Sequence, residues 1–150
     1  MRALLQRVSR ASVRVDGAVV GEIGPGLLVL LCVMAGDTDD DLDYVVRKTA
    51  GLRIFHDADG RFNESVVDTG GSLLVVSQFT LAAQTRKGRR PGFSTAAAPD
   101  IASAMCDRAV AAWRAQGLTV ATGTFGAKMS VELVNEGPVT IWLDSRDDAS

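Results

Sequence analysis

The spacing of apolar residues changes along the chain, and each change marks an element. Ala3 to Val8, Ser12 to Val15 and Ala18 to Glu22 read as short strands, the last two flanking Asp16-Gly17, a pair suited to the two φ > 0 positions of a tight hairpin. After the turn Gly24-Pro25-Gly26, Leu27 to Met34 is apolar without a break, which predicts a central strand covered on both faces. The period then becomes helical. Leu42, Val45, Val46, Thr49 and Leu52 share one face, Asp37 or Thr38 is placed to cap the segment, and Asp39 to Asp41 suit the positive end of its dipole.

Arg53 to Phe55 leads into the turn Asp57-Ala58-Asp59-Gly60 and a short strand near Arg61 to Val66. Gly70-Gly71 precedes a strand predicted over Ser72 to Phe79, and Gln84 to Ser94, with two glycines and Pro91, reads as a loop. A second helix begins at Pro99, buries Ile101, Met105, Ala109, Ala112 and Trp113, and stops at Gly117. Strands follow over Leu118 to Thr122, Ala127 to Val134 and Val139 to Leu143. In the middle one Ala127, Met129, Val131 and Leu133 alternate with Lys128, Ser130 and Glu132, giving one covered and one wet face. The sum is an α+β chain in which strands outnumber helices, a single domain over residues 1–145 with a flexible tail at 146–150.

Composition narrows the class. At 150 residues, 47% hydrophobic and 23% charged, the chain is long enough and apolar enough to bury one core. Its longest apolar run, Leu27 to Ala35, is far short of the roughly 20 residues of a membrane-spanning helix. Gln6 and Arg7 interrupt any signal-peptide core, so the expected location is the cytoplasm, with no membrane partner. Cys32 and Cys106 sit in apolar sequence and read as buried free thiols. The net charge is −2, yet Arg86, Lys87, Arg89 and Arg90 form a local basic patch able to hold phosphate.

With one histidine, His56, in a turn-like segment and no Gly-x-Ser-x-Gly elbow, neither a histidine-rich zinc site nor a serine triad is supported, and no metal or cofactor is expected. Two polar motifs interrupt strand-like sequence instead: Ser77-Gln78-Phe79-Thr80-Leu81 and Asn135-Glu136-Gly137-Pro138-Val139-Thr140. Read alone, the first is a strand end whose polar groups satisfy backbone and the second a trans turn, since cis X-Pro bonds are about 5 to 6% of folded cases.

Together, and in this order, the two motifs resemble the D-aminoacyl-tRNA deacylases. The likeness extends from Arg2 to Leu143 and takes in Gln6-Arg7-Val8, Gly71 to Leu81, the loop around Arg90-Pro91 and Phe125-Gly126-Ala127-Lys128-Met129. It implies the deacylase-like fold, a barrel-like, mostly antiparallel mixed sheet with two helices. It also implies a homodimer with active sites at the subunit interface and aminoacyl-tRNA, rather than DNA, as partner. The implied reaction is hydrolysis of D-aminoacyl-tRNA, and of glycyl-tRNA on non-cognate tRNA, as chirality proofreading in translation.

The resemblance assigns catalysis to Ser77, Gln78, Phe79 and Thr80. It assigns rejection of L-amino acids to a cis Gly137-Pro138 peptide reaching into the partner subunit's pocket. Substrate and tRNA contacts fall to Arg7, Arg86, Lys87, Arg89, Arg90, Phe125, Met129 and Asn135. Backbone N–H groups near Phe79 and Thr80 would bind the oxyanion, with Thr80 positioning rather than attacking, because threonine needs an adjacent base to act as nucleophile. The 2′-hydroxyl of the terminal ribose and an ordered water both remain candidate nucleophiles. Gly92 departs from the Arg-Pro-Ser-Phe common in the family and puts a loop hydrogen bond in question. Two other readings stand beside this one: an RNA-binding module without turnover, and an esterase for small substrates.

Overall fold

The computed structural model describes residues 1–147. In chain order it comprises β1 (Arg2–Val15), β2 (Ala18–Ile23), β3 (Gly26–Cys32), α1 (Asp39–Gly51), β4 (Phe55–His56), β5 (Phe62–Glu64), β6 (Ser72–Ser77), a 3-10 turn (Phe79–Ala82), α2 (Pro99–Ala115), β7 (Thr119–Thr122) and β8 (Ser130–Asp144). Asp16 and Gly17 adopt the positive φ values, 50° and 79°, that the first hairpin needs.

The strands expected on either side of Ser9-Arg10 are one strand, and those expected on either side of Asn135 to Pro138 are another, which begins at Ser130 rather than at Ala127. The reason is tertiary: β1 and β8 pair antiparallel along almost their full lengths, and the ladder carries both through polar sequence that local propensity reads as breaks. The opposite flank of β1 is shared, β3 pairing with its first half and β2 with its second. From β3 the sheet continues in parallel to β6 and β7. Parallel neighbours need long crossovers, which α1 and α2 supply. The sheet curls until β2 reaches β7, where a Cβ on Gly21 would lie 2.4 Å from the Thr122 carbonyl oxygen, so glycine alone permits the approach. The outcome is a barrel-like mixed sheet with two helices. The outer flank of β8 pairs with no strand among the described residues.

Alternation along the strands separates two apolar clusters. Leu27, Val29, Leu31, Leu73 and Val75 face the helices, while Leu28, Leu74 and Val76 face the inside of the curl. Trp113 is fully buried and its indole N–H donates to the Val46 carbonyl at 3.1 Å, tying α2 to α1. Met105 and Ala109 are buried as the helical period predicts, but Ile101 is exposed. The first turn of α2 walls a cleft with Pro99 and Ala102 and leaves Ile101 on its outer side.

Thr38 starts α1, its backbone N–H donating to the Asp41 carboxylate at 2.8 Å. Asp37 is thereby released for another task. Its buried carboxylate accepts hydrogen bonds from the Met1 α-ammonium at 2.8 Å, the Met34 N–H at 2.7 Å and Arg146 at 2.8 Å. Ser145 and Arg146, read as part of or next to a loose tail, are held here: the Ser145 hydroxyl donates to Asp41 at 2.6 Å and Arg146 also donates to the Ala35 carbonyl. The rest of the expected tail, 148–150, lies outside the described residues.

Burial raises the Asp41 pKa, but hydrogen bonds from Ser145 and Thr38 outweigh it and hold the carboxyl below its ordinary value. Its contribution to stability is therefore present above the usual carboxylate range and lost as pH falls through the lowered value. Replacing Asp37 by alanine strands the Met1 ammonium in a buried setting, a loss of about 3–5 kcal/mol. We expect a matching fall in the urea midpoint, and an unmoved midpoint would refute the role given to this ion pair.

Candidate active site

β3 and β6 run parallel and end together, Leu31 opposite Ser77. The Gln78 N–H makes one further bond, to the Leu31 carbonyl at 2.8 Å, and then the chain leaves the sheet in the 3-10 turn. The predicted strand through Phe79 therefore stops two residues early. A cleft of about 680 Å³ opens beyond these carboxyl ends, where parallel sheets commonly receive ligands. Ser77, Gln78 and Phe79 form one wall, the small residues Ala96, Ala97 and Ala102 another, and Phe125 and Met129 a third.

Turning the chain out of the sheet exposes the polar motif that a strand would have paired. The Gln78 amide nitrogen donates to the Thr80 hydroxyl oxygen, which holds that hydroxyl beside Gln78, a residue of the cleft wall. The turn's first internal bond runs from the Leu81 N–H to the Gln78 carbonyl, so the N–H groups of Phe79 and Thr80 stand ahead of its i→i+3 ladder. The arrangement offers hydrogen-bond donors and an oriented hydroxyl. His56 is elsewhere, stacked on Phe62 with ring centroids 4.9 Å apart.

Both thiols border the cleft. Burial, then the nearby Asp107 and Cys32, pushes Cys106 up to about 12, and burial likewise raises Cys32. Neither is a thiolate near neutrality. Phe125 lies 42% exposed and also lines an adjoining cleft of about 530 Å³ between α2 and the end of β7, beside Arg114 and Thr122.

The second motif is far from the first within one chain. Between the pairs Gln6–Thr140 and Val8–Asn135, Arg7 alone stands opposite residues 136–139, so these four bulge out of β8. Arg7 is buried. Its guanidinium donates to the Glu136 carbonyl at 3.0 Å and the Ile54 carbonyl at 2.9 Å and lies over the Phe62 ring. Asn135 accepts from the Val139 N–H at 3.1 Å and donates to the Thr140 hydroxyl at 3.0 Å, closing the base of the bulge. Gly137 has φ +124° and no room for a side chain, because a Cβ would meet an Arg7 nitrogen at 2.7 Å. The Gly137-Pro138 peptide is cis, and both residues are exposed.

Since Arg7 pairs with Leu27 and the cleft begins at Leu31, the bulge sits four residues down the sheet, about 13 Å away along the strand. Arg7, Asn135, Gly137 and Pro138 thus form one group. Ser77, Gln78, Phe79, Thr80, Phe125 and Met129 form another.

The basic residues occupy a third place. Gln84 and Gly92 exchange backbone hydrogen bonds at 2.7 and 2.9 Å and clamp a hairpin whose tip carries Arg86, Lys87, Arg89 and Arg90, all exposed and without an ion pair among the described residues. Gly92 leaves the clamp intact: a Cβ there would meet Gln84 at an ordinary 3.5 Å, and the Ser94 hydroxyl already donates to the Gln84 side chain at 2.7 Å. Sequence reasoning gave no role to Phe93 or to the small residues that open the cleft. The signals were the aromatic residue closing the basic loop and the run Ala96-Ala97-Ala98 before Pro99.

The family model described as D-Tyr-tRNA(Tyr) deacylase matches residues 4–144. The chain is 61% identical over 147 residues to the D-aminoacyl-tRNA deacylase of Ruegeria sp. strain TM1040, covering 98% of this chain and 94% of the relative. Among solved structures, one named c-Myc DNA Unwinding Element Binding Protein aligns with TM-score 0.90 and 40% identity over 96% of this chain and 98% of its own. Another, described as a probable eukaryotic D-amino acid tRNA deacylase, aligns with TM-score 0.81 at 23% identity over 95% and 97%, a likeness of fold.

The raised thiol pKa generates a direct test. Iodoacetamide at pH 8 is expected to label Cys106 far more slowly than free cysteine, with labelling of the folded protein accelerating only as pH climbs toward 12. Rapid labelling at pH 8, read by mass spectrometry, would show a thiolate in the cleft.

Proposed function

The chain belongs to the D-Tyr-tRNA(Tyr) deacylase family, and from that premise we propose that it hydrolyses the ester joining a D-amino acid to the terminal ribose of tRNA, in sites each completed by a second copy. The observation that carries this reading is the Gln78–Thr80 turn at the rim of an otherwise apolar cleft. It supplies donors and positioning and no strong base, which suits a substrate that is already labile and brings its own hydroxyl.

The ester carbonyl lies with its oxygen toward the N–H groups of Phe79 and Thr80, each such donor being worth roughly 3–4 kcal/mol to a developing oxyanion. The vicinal 2′-hydroxyl of the ribose or a water attacks, and the Thr80 hydroxyl, held by Gln78, keeps the reacting groups in line. Phe125 and Met129 border the terminal adenosine.

Chirality is sensed by the bulge. Gly137 and Pro138 are exposed yet remote from the cleft of their own chain, so they reach a cleft only by entering that of another copy. The unpaired outer flank of β8, with Val134 and Trp142 exposed on it, supports such an association. Arg7 and Asn135 fix the bulge, and its main chain forms a wall that an L side chain strikes and a D side chain avoids, selection by clash rather than by affinity. Glycine has nothing to strike it with. The hairpin cations hold phosphates of the acceptor end.

A second reading, nucleic-acid binding without turnover, is favoured by the name of the 40%-identical solved structure and by the same basic hairpin. One assay separates them. D-tyrosyl-tRNA and glycyl-tRNA are expected to be deacylated and L-tyrosyl-tRNA to be at least a hundredfold slower, about 2.7 kcal/mol of discrimination; comparable D and L rates would remove the wall, and no hydrolysis of any of them would leave the binding reading. Separately, tRNA affinity should fall steeply with salt, and alanine at Arg86, Lys87, Arg89 and Arg90 together should flatten the logarithmic slope by about 3 to 4. An unchanged slope would place the phosphate contacts elsewhere.

A further inference from the structure

We propose that the rings of Phe79 and Phe93 form a stacking platform for the unpaired nucleobase that precedes the terminal adenosine of the acceptor end. The proposal deepens the tRNA-ester reading and rests on it. Phe79 is 60% exposed, an unusual setting for a ring that borders a cleft, and its backbone rather than its side chain serves the ester. Phe93 stands edge-on to it, with centroids 5.1 Å apart and planes at 71°, which fixes the ring orientation and leaves an open aromatic surface at the rim.

The connectivity says what covers that surface. From Thr80 the chain passes through Gln84 into the basic hairpin and returns at Gly92 directly into Phe93, so the ring pair lies between the cleft and four exposed cations. An aromatic surface flanked by a basic loop is the combination by which single-stranded nucleic acid is held, stacking for the base and charge for the phosphates. With the terminal ribose in the cleft, the next base meets the rings and the phosphates beyond it meet Arg86 to Arg90. Because every base has a π-face, the platform adds affinity without reading sequence.

The test uses the full chain and two substrates, D-tyrosyl-tRNA and D-tyrosyl-adenosine, which lacks the preceding nucleotide. Phe93→Leu is expected to lower kcat/KM on the tRNA about five- to a hundredfold more than on the short ester, chiefly through KM, with Phe93→Tyr restoring most of the loss. Uncharged tRNA carrying 2-aminopurine at the penultimate position should lose fluorescence on binding the wild-type protein. Equal losses on the two substrates, no quenching by the wild-type protein, or a change in sedimentation caused by Phe93→Leu would each overturn the platform, the last by assigning the rings to a contact between copies. Failure of the wild-type protein to cleave either ester would instead sink the deacylase reading, while the quenching would still report on the rings.

Discussion

The pairing of β1 with β8 is the constraint on which the rest of the molecule depends. Two long antiparallel strands held in register at both ends leave no freedom for a mismatch in the middle except to push the surplus outward, and here four residues stand opposite one. Arg7 is the side chain that makes the mismatch tolerable. A buried guanidinium needs several acceptors, and the displaced Glu136 carbonyl together with the Ile54 carbonyl supplies two of them, with the Phe62 ring beneath. The bulge is therefore rigid because a charge inside the protein requires it to be where it is.

The exposure of the other polar motif follows from parallel strands. β3 and β6 end at the same level because their register is fixed from Gly26–Ser72 onward, and the chain must then leave the sheet. A single 3-10 turn is the shortest way out, and it converts Gln78 to Thr80 from ladder members into displayed groups. The small residues ahead of α2 keep the space beyond the turn open. Two local departures from regular structure, one at a strand end and one within a ladder, thus display the two polar motifs.

Most of the regular structure was legible in sequence because period and burial agree there. Leu27 to Cys32 is apolar and central, Leu42, Val45 and Val46 are on the inner face of α1, and Asp16-Gly17 turns as its composition demands. Three failures in strand bounds share a cause. Ser9-Arg10 and Asn135 to Pro138 look like breaks locally, but long-range pairing carries the strands through them, and Phe79 looks like strand although the sheet ends at Ser77. The site motifs were visible as polar interruptions, and their assignment came from family likeness. What no local pattern revealed was that Arg7 is buried and that the two motifs are separated within one chain, since both facts belong to the packing of distant segments.

One consequence lies in the uncovered flank of β8. A fifteen-residue strand with open backbone donors and acceptors and a protruding indole invites indiscriminate association whenever it stands alone. On the proposed arrangement, in which a twin molecule shields it and receives the bulge, colloidal solubility and fidelity would draw on the same surface, and a lesion that loosens the pair would harm the cell twice: through errors left uncorrected and through sticky orphans.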